Sequence, residues 1–548
     1  MCAEPAPAEE DARQRELVRA LSDPSAWPHP VVRLRRLETH ISHVLLTGAV
    51  AYKIKKPVDL GFLDFTTLDA RRHFCEEELR LNRRLAPSLY LDVVAIAGSP
   101  QAPRVGAPGV PIEYAVKMVE FPQEALLGAM AAAGTLAAGH IDAVAARLAA
   151  FHETCARAGA GSPYGTPEAI EAPMRQNFAQ IRALPAGAGQ AQVLDRLERW
   201  SVEEHGRLAA LMRRRRDEGF VRECHGDLHL GNMAWVDGGV QIFDCIEFNP
   251  GLRWIDVFNE VAFLVMDLQS RGLPGLAARF LDAYLERTGD YGGLALARNY
   301  AVYRAMVRAK VAAMRAHQTG ATESERLAAA GDFREHLALA GRISHARRPA
   351  LVLTHGLAGS GKTTYGQAIV ERLGAIRLRS DVERKRLANL DASARTGPAL
   401  AAGLYAEEGT RRTYERLARL AGAALAAGFV TLVDATFLKR WQRELLREVA
   451  HVRGVPLRIL SLAAPEELLR QRIAARGRAG TDASEATAEV LAWQIRSQEP
   501  LGEDELACTI RLDAEHASGE AAVRRLIASL PGFQFRFPVP WKSPGVNR

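Results

Sequence analysis

The sequence predicts two domains of different fold class, an α+β domain with two lobes followed by an α/β domain with a parallel sheet. A chain of 548 residues is longer than one hydrophobic core usually organises. Its first part runs strands, helix, strands and then a long helical region. Beyond residue 350 strand and helix patterns alternate, which predicts a parallel sheet covered by helices. No internal repeat is present, so the two halves are not copies of each other.

Composition indicates a soluble globular protein. Hydrophobic residues make up 48% of the chain and charged residues 25%, which is enough apolar material for sizeable cores. The net charge of +7 would suit a polyanionic partner. However, the excess is largely arginine scattered through Ala-rich helical stretches, as in "MRRRRDEG" (212–219), and such a run is typical of a solvated helix face. A nucleic-acid partner is therefore not favoured.

Three features predict a cytoplasmic protein without a membrane span. The six cysteines lie far apart and form no C-x-x-C pair, which fits a reducing compartment. The acidic N-terminus lacks the apolar region of a secretory signal. The most apolar run, residues 421–433, is shorter than the roughly 18 residues that a span requires.

Turn and helix-cap residues mark where the predicted elements and domains begin and end. A polar leader over residues 1–30 precedes a hairpin that turns at Thr47-Gly48, and a helix capped by Asp69 runs to about Leu85. Further strands are expected at 90–96, 112–121 and 240–244. The predicted divisions are an N-lobe (31–121), a C-lobe (122–340), a linker (341–350), the α/β domain (351–535) and a tail (536–548).

The first half contains, in order, the polar groups that phosphoryl transfer requires: a phosphate lysine, a carboxylate that holds it, a catalytic carboxylate and metal ligands. "VAYK" (50–53) supplies Lys53 on a strand. The following helix offers Glu78 as its partner, because Leu81 and Leu85 share that face, and Glu77 remains an alternative. In "HGDLHLGN" (225–232) the expected roles are catalysis for Asp227, metal binding for Asn232 and loop bracing for His225.

The "IFD" strand is expected to end at Asp244, a second metal ligand. The H-x-D-x-x-x-x-N spacing followed by this aspartate resembles the aminoglycoside phosphotransferases and their relatives with the protein-kinase-like fold. That resemblance implies binding of ATP and Mg²⁺. Two departures stand out: "CIEFN" (245–249) lacks the glycine that many relatives carry two residues after the aspartate, and "THISH" (39–43) replaces a Gly-rich phosphate cover.

The second half contains "GLAGSGKT" (356–363), a full match to G-x-x-x-x-G-K-[ST] between an apolar strand and a helix. Backbone N–H groups and the helix N-terminus are expected to hold phosphates, Lys362 to reach the β- and γ-oxygens, and the Thr363 hydroxyl to bind magnesium. The expected nucleotide-binding residues of this loop are Gly356, Gly359, Ser360, Gly361, Lys362, Thr363 and Thr364.

Further candidates follow the predicted strands of this half. Asp381 is expected to be the acceptor-side base and Asp434 a metal ligand, since ligands bind at strand C-termini in open α/β sheets. Arg472 and Arg476 lie four residues apart on one helix face, before a cap formed by Asp482 and Glu485. The arrangement resembles small P-loop kinases with an arginine-bearing lid, although the two arginines fit a solvated helix face equally well.

Together the halves resemble bacterial bifunctional proteins that join an aminoglycoside-phosphotransferase-like domain to a P-loop kinase or AAA-family ATP-binding domain. The resemblance implies a kinase that has two ATP sites. This kinase would phosphorylate hydroxyl groups of small molecules. Two alternatives stay open: an ATP-binding regulator with a degenerate kinase-like domain, and a C-terminal polynucleotide end kinase. Fold alone does not identify the acceptor, and the sequence does not indicate an oligomeric state.

Overall fold

The computed structural model describes residues 7–530, apart from residue 62 and residues 319–320, 393, 395–405, 480–485 and 514–517. Its contacts divide the chain into two compact units. The first contains the described residues of Met1–Leu136, Ala150–Pro173 and Ala209–Leu264, and the second those of Ala137–Ala149, Met174–Leu208 and Val265–Arg548. Helical segments that precede the predicted linker therefore belong to the second unit.

The first unit is built on a six-stranded antiparallel sheet with the strand order β1-β2-β3-β6-β4-β5. The hairpin predicted at Thr47-Gly48 joins β2 to β3, and Gly48 adopts a φ of 103° there. The strands are β1 (Arg35–Glu38), β2 (Ser42–Leu46), β3 (Val50–Lys55), β4 (Tyr90–Ser99), β5 (Ala102–Val105) and β6 (Pro111–Val119).

The predicted polar leader contains helix α1 (Pro7–Ala20), which contributes to the core of the first unit. Leu17, Val18 and Leu21 pack with Trp27 against the inner face of the sheet at Tyr52 and its neighbours. Leu17 and Leu21, which directly follows the last residue of α1, are one helical turn apart, which is the spacing of a buried face.

Helix α2 (Leu68–Asn82) carries the acidic cluster of the first half. Its N-cap is Thr67, whose hydroxyl accepts the Ala70 N–H at 3.1 Å, so the prediction of Asp69 as the cap was wrong. Asp69 instead lies inside the first turn, where a negative charge suits the helix dipole. Cys75 and Glu78 share the buried face of α2, three residues apart.

The remaining strands of the first unit form two small antiparallel pairs around the "HGDLHLGN" loop. Strand β7 (Val221–Glu223) pairs with β10 (Trp254–Asp256), and β8 (Met233–Val236) pairs with β9 (Gly239–Ile242). Because β9 ends at Ile242, Asp244 lies two residues beyond the strand and not at its last position as predicted. Its own backbone is left-handed, with a φ of 63°.

Helices dominate the rest of the first half, as predicted. Helix α12 begins in a capping box between Thr322 and Glu325 and extends to His345, which is inside the predicted linker. The helices are α3 (Leu127–Ala132), α4 (Ala138–Thr154), α5 (Pro167–Ala183), α6 (Pro185–Ala188), α7 (Ala191–Asp217), α8 (Pro250–Arg253), α9 (Val257–Ser270), α10 (Pro274–Thr288), α11 (Ala297–Ala316) and α12 (Glu323–His345).

The second unit contains the predicted parallel sheet, with five strands in the order β12-β13-β11-β14-β15. The strands are β11 (Ala350–His355), β12 (Ile376–Arg379), β13 (Val430–Asp434), β14 (Leu457–Ala463) and β15 (Thr509–Asp513). The helices are α13 (Lys362–Leu373), α14 (Ser380–Leu387), α15 (Glu407–Ala426), α16 (Arg440–Arg453), α17 (Glu466–Ala479), α18 (Ala488–Ser497), α19 (Glu503–Leu506) and α20 (Gly519–Ser529). Within the described parts of the chain, no helix is both long and apolar enough to cross a membrane.

Candidate functional site: two phosphate-binding centres

Lys53 of β3 is held between two carboxylates in the first unit. Its Nζ atom lies 2.9 Å from Glu78 Oε1 and 2.5 Å from Asp244 Oδ1. Burial would lower the pKa of Lys53, but Asp244 and Glu78 outweigh it and raise that pKa well above its usual value. Glu77 instead pairs with Arg80, so Glu78 is the α2 carboxylate that contacts Lys53. The result is a permanently charged cation next to a half-exposed carboxylate.

A second buried lysine, Lys55, extends this centre. Residues two apart on a strand point to the same face, and Lys55 Nζ donates to Glu78 Oε2 at 2.7 Å and to Glu247. Burial raises the pKa of Glu247 and Lys55 acts in the opposite direction. Glu247 belongs to "CIEFN", the segment that departs from the aminoglycoside phosphotransferase pattern. Sequence analysis missed both residues, although "YKIKK" (52–56) shows the two lysines at strand spacing.

The "HGDLHLGN" loop brings Asp227 and Asn232 together. The Asn232 amide Nδ2 donates to Asp227 Oδ2 and to the Asp227 carbonyl, both at 3.0 Å. The side chain of Asp227 is 34% exposed, which leaves it accessible to an acceptor molecule. His229 Nε2 lies 3.3 Å from the same Asp227 Oδ2, a contact that sequence analysis did not predict.

Glu260 of α9 holds the start of this loop. One of its carboxylate oxygens accepts the N–H groups of His225 and Gly226 at 2.8 and 2.7 Å, and the other lies 2.8 Å from His152 Nε2. His225 Nε2 contacts the Phe243 carbonyl at 2.8 Å, so its side chain braces the loop. Burial would raise the pKa of Glu260, but His152, His225 and the Gly226 N–H together outweigh burial, and the pKa is lowered. Sequence analysis missed Glu260 and His152 because each lies far along the chain from the loop.

The backbone links the two predicted metal ligands of the first unit. Phe243, immediately before Asp244, donates its N–H to the Asn232 carbonyl at 3.0 Å. The Asp244 N–H is directed at the Tyr90 hydroxyl at 3.3 Å. A left-handed backbone is uncommon outside glycine and is found at functional sites that the surrounding structure holds in place. The side-chain oxygens of Asn232 and Asp244 suit a hard cation such as Mg²⁺.

The segment "THISH" (39–43) forms the turn between β1 and β2 and the first two residues of β2. The Thr39 hydroxyl accepts the N–H groups of Ile41 and Ser42, and the Thr39 N–H donates to the Ser42 carbonyl at 2.9 Å. Side-chain bonds therefore stabilise this turn without glycine.

In the second unit, "GLAGSGKT" forms a tight loop between β11 and α13. Gly356, Gly359 and Gly361 have φ angles of 143°, 81° and 88°. A Cβ atom at Gly356 would lie 2.5 Å from the Leu462 carbonyl oxygen, and one at Gly359 would lie 2.9 Å from the Leu469 oxygen. Both positive φ and close packing therefore require glycine.

Lys362 lies at the first position of α13. Its Nζ atom donates to the carbonyls of Gly356 and Leu357 at 3.0 and 2.7 Å. Ser360 is buried within the loop, and Thr364 is exposed in the first turn of α13. The N–H of Ala358 is held by the side chain of Gln494 at 2.8 Å, a contact from α18 that sequence analysis missed.

Two carboxylates lie at the C-terminal edge of the parallel sheet. The Thr363 hydroxyl donates to Asp434 Oδ2 at 3.3 Å, which joins the predicted metal ligands of this unit. Asp434 ends β13, and its register partner on β12 is Arg379. Asp381 follows two residues after Arg379 in the first turn of α14, with its Oδ1 atom 3.8 Å from Arg384.

Of the two candidate lid arginines, Arg472 reaches the loop. Its guanidinium donates to the Gly359 carbonyl at 3.4 Å. The side chain of Arg476 and the predicted cap residues Asp482 and Glu485 lie outside the described residues.

Comparison with known proteins finds one family match in each half of the chain. The profile of the "Phosphotransferase enzyme family" matches residues 75–297, and that of the "AAA domain" matches residues 351–501. The chain thus carries a region that matches the phosphotransferase family, followed by a region that matches the AAA domain and contains the phosphate loop. An uncharacterized protein of Mycobacterium tuberculosis (strain ATCC 25618 / H37Rv) is 31% identical over 455 residues, covering 83% of this chain and 89% of the relative. A Mycobacterium bovis protein matches to the same extent. The chain belongs to the family of these mycobacterial proteins.

Solved structures are similar to parts of the chain. An amicoumacin kinase in complex with AMP-PNP is 14% identical with a TM-score of 0.39, and the match covers 60% of this chain and 96% of that one. A sugar kinase from Janibacter sp. is 24% identical with a TM-score of 0.26, covering 33% of this chain and 93% of that one.

Proposed function

We propose that the protein is an ATP-dependent phosphotransferase with two active sites, each of which transfers the γ-phosphoryl group of ATP to a hydroxyl of a small molecule. The observation that carries this proposal is that each unit has its own phosphate lysine beside its own candidate metal ligands. Lys53 contacts Asp244 in the first unit. Lys362 lies on the phosphate loop in the second, next to the Thr363–Asp434 pair.

At the first site Asp227 receives the acceptor proton. The acceptor hydroxyl oxygen forms a bond to the γ-phosphorus, the bond from that phosphorus to the bridging oxygen of ADP breaks, and the hydroxyl proton passes to Asp227. The Lys53 cation binds the phosphates, and Glu78 holds that cation in position. Asn232 keeps the Asp227 carboxylate oriented through its amide hydrogen bond.

Magnesium fits the oxygen ligands of both sites. Asn232 and Asp244 would hold it at the first site, and Thr363 and Asp434 at the second. When bound, Mg²⁺ would neutralise phosphate charge. The remaining work at the second site falls to the chain itself: backbone N–H groups of the loop and Lys362 bind the phosphates, and Arg472 stabilises the transferred group.

At the second site Asp381 is the acceptor-side base. Its carboxylate lies at the sheet edge where ligands bind in open α/β folds, close to the strand end that carries Asp434. Deprotonation of the acceptor by Asp381 follows the same bond changes as at the first site.

The test is phosphate transfer from γ-labelled ATP to a pool of hydroxyl metabolites by the full chain. Asp227→Asn and Asp381→Ala should each remove a subset of labelled products, because loss of a catalytic base commonly costs about 100-fold or more in rate. Nucleotide affinity should change little, since neither residue is a phosphate contact in this proposal. Lys117→Ala is a charge-removal control. Lys117 lies on β6, the strand that pairs with β3, and its substitution should leave all products unchanged.

Two outcomes would contradict the assignment. One is a full set of labelled products from the Asp227→Asn, Asp381→Ala double variant. The other is loss of nucleotide binding in Asp381→Ala, with residual turnover proportional to occupancy, since that would make Asp381 a nucleotide contact.

A further inference from the structure

Helix α10 packs along the free edge of β12 within the second unit. Among the described residues, β12 is the outermost strand of the parallel sheet, and one side of its backbone has no strand beside it there. Asp282 of α10 fills that position at Arg377: its Oδ1 accepts the Arg377 N–H at 3.2 Å, and its Oδ2 accepts from the Arg377 guanidinium at 2.7 Å. A side chain from the kinase-like half thereby satisfies the edge of the P-loop sheet.

The Asp282–Arg377 pair is almost completely removed from water, with the side chains 3% and 7% exposed. A buried charge pair is stable only when both members are well bonded, and loss of one member leaves an uncompensated charge. The pair is therefore sensitive to substitution at either position.

Contacts continue beyond Asp282 towards α14. Glu286, one turn further along α10, accepts from Arg379 at 3.0 Å, and its carbonyl accepts from Arg386 at 2.6 Å. After α10 ends, a Cβ atom at Gly289 would lie 2.8 Å from Arg386 Nε, so the chain passes directly against that guanidinium. These contacts lie on both sides of Asp381 in the sequence.

The segment that carries Asp381 is short. Helix α14 has eight residues, and helices of that length are marginal without tertiary contacts. Its anchors are Arg377 and Arg379 just before it, Arg386 near its end, and Glu383, which pairs with Arg386 and Arg416.

We propose that Asp282 and Glu286 are positioning residues for the P-loop site: through β12 and α14 they fix Asp381 relative to the phosphate loop. The kinase-like half then contributes structurally to catalysis by the other half. This inference rests on the proposed role of Asp381. Displacement of a reacting group by about 1 Å can cost about 100-fold in rate, so a loosened α14 would slow transfer while the phosphate loop still binds nucleotide.

The test uses the full chain with Asp227→Asn as background, which silences the first site. Asp282→Asn removes the charge without changing the shape of the side chain, and Glu286→Gln is the milder second variant. Arg287→Gln, exposed in the last turn of the same helix, is the matched control. Three quantities are measured: amide hydrogen exchange of residues 376–387, affinity for a non-hydrolysable ATP analogue, and hydrolysis of ATP with water as the acceptor.

We expect Asp282→Asn to accelerate exchange of the 376–387 segment and to lower kcat for hydrolysis by about 10-fold or more, with analogue affinity within about twofold of wild type. Glu286→Gln should change exchange and kcat in the same direction by less, and Arg287→Gln should change neither. If Asp282→Asn does not fold, the Glu286→Gln result decides.

Unchanged exchange in both acidic variants would overturn the proposal, and so would faster exchange with unchanged kcat. A second site that neither hydrolyses ATP nor labels any metabolite of the hydroxyl pool in the Asp227→Asn background would contradict the proposed function instead. In that case the exchange measurement still decides whether α10 holds the Asp381 segment.

Discussion

His229 contacts both the backbone of its own loop and the proposed catalytic carboxylate. Its Nδ1 accepts the Gly231 N–H at 3.0 Å, so we assign the ring proton to Nε2, which lies 3.3 Å from Asp227 Oδ2. A Cβ atom at Gly231 would lie 2.8 Å from His229 Cε1, so glycine at this position lets the His229 ring lie against the backbone of residue 231. The edge of the ring packs against Phe263. Because Nε2 lies 3.3 Å from the Asp227 carboxylate, we expect His229 to donate a hydrogen bond to Asp227.

We predict that His229→Ala lowers kcat for ATP turnover at the first site by about 10-fold or more, because a hydrogen bond to a charged group contributes about 1.5–3 kcal/mol. Lys362→Ala serves as background to silence the second site. His229→Gln, which retains an N–H donor, should recover part of the loss, and nucleotide affinity should stay within about twofold in both. Equal rates for the Ala and Gln variants would exclude orientation of Asp227 by this hydrogen bond.

Motif spacing predicted the residues that lie close together in sequence but not the contacts that join distant segments. Asp227 and Asn232 are five residues apart, and their contact follows from one loop. Lys55 and Glu247 are 192 residues apart, and no local pattern links them. Glu78 was preferred over Glu77 from helical periodicity alone, because a face with period 3.6 can be identified from the sequence.

At the scale of elements, β3 and α2 are joined by a buried network in which Glu78 accepts from both Lys53 and Lys55. Burial would raise the pKa of Glu78, but the two lysines outweigh it and lower that pKa to about 2. A carboxylate with a depressed pKa stabilises the folded state above its unfolded pKa of 4.5, and the contribution is lost as pH falls towards 2.

Glu78→Gln should therefore destabilise the first unit strongly at pH 7, by about 3 kcal/mol or more, because two buried cations lose a shared counterion. The difference from wild type should shrink as pH falls from 4.5 towards 2. The free energy of unfolding at each pH is measured by urea unfolding, which is followed by pulsed hydrogen exchange on peptides of β3. Glu76→Gln, which removes an exposed pair with Arg72, is the control and should have little effect at any pH. A Glu78→Gln effect of constant size over this pH range would contradict the assigned charge state.

The phosphate loop provides a second prediction at this scale. Gly356→Ala should abolish or severely weaken nucleotide binding at the second site, since its Cβ atom would lie 2.5 Å from the Leu462 oxygen. Gly374→Ala is the matched control: Gly374 also has a positive φ, of 64°, but its Cβ would meet no atom within 4 Å. It should cost about 1–2 kcal/mol of stability and leave affinity unchanged. Normal affinity in Gly356→Ala, measured by calorimetry, would show that the loop tolerates a side chain there.

Element boundaries were predicted less well than element types. Thr67 caps α2 in place of Asp69. The sequence could not decide between them because both residue types are good caps, and only the hydrogen bond from the Ala70 N–H identifies Thr67. Helix α12 continues to His345 through polar residues that resembled a linker. Strand β9 stops before Asp244, where the backbone turns left-handed, and side-chain patterning does not report that change.

At the scale of the whole molecule, the sequence predicted both fold classes and their order. Hydrophobic periodicity extends over long segments, and each half contains its own phosphate-site motif. The sequence did not predict that α10 would pack on the edge of the P-loop sheet. That packing depends on Asp282 and Arg377, which are 95 residues apart and resemble ordinary surface charges in the sequence. Such pairs can be recognised only after the fold brings them together.

We propose that one chain carries two independent ATP sites, each with its own lysine. This proposal is tested most directly by calorimetric titration with a non-hydrolysable ATP analogue. The wild type, Lys53→Ala, Lys362→Ala and the double variant should bind two, one, one and no equivalents, because each lysine contacts phosphate in its own fold. Lys439→Ala, a half-exposed lysine paired with Glu499, should still bind two. A single site in the wild type that disappears with either lysine would mean one composite pocket and would contradict the account.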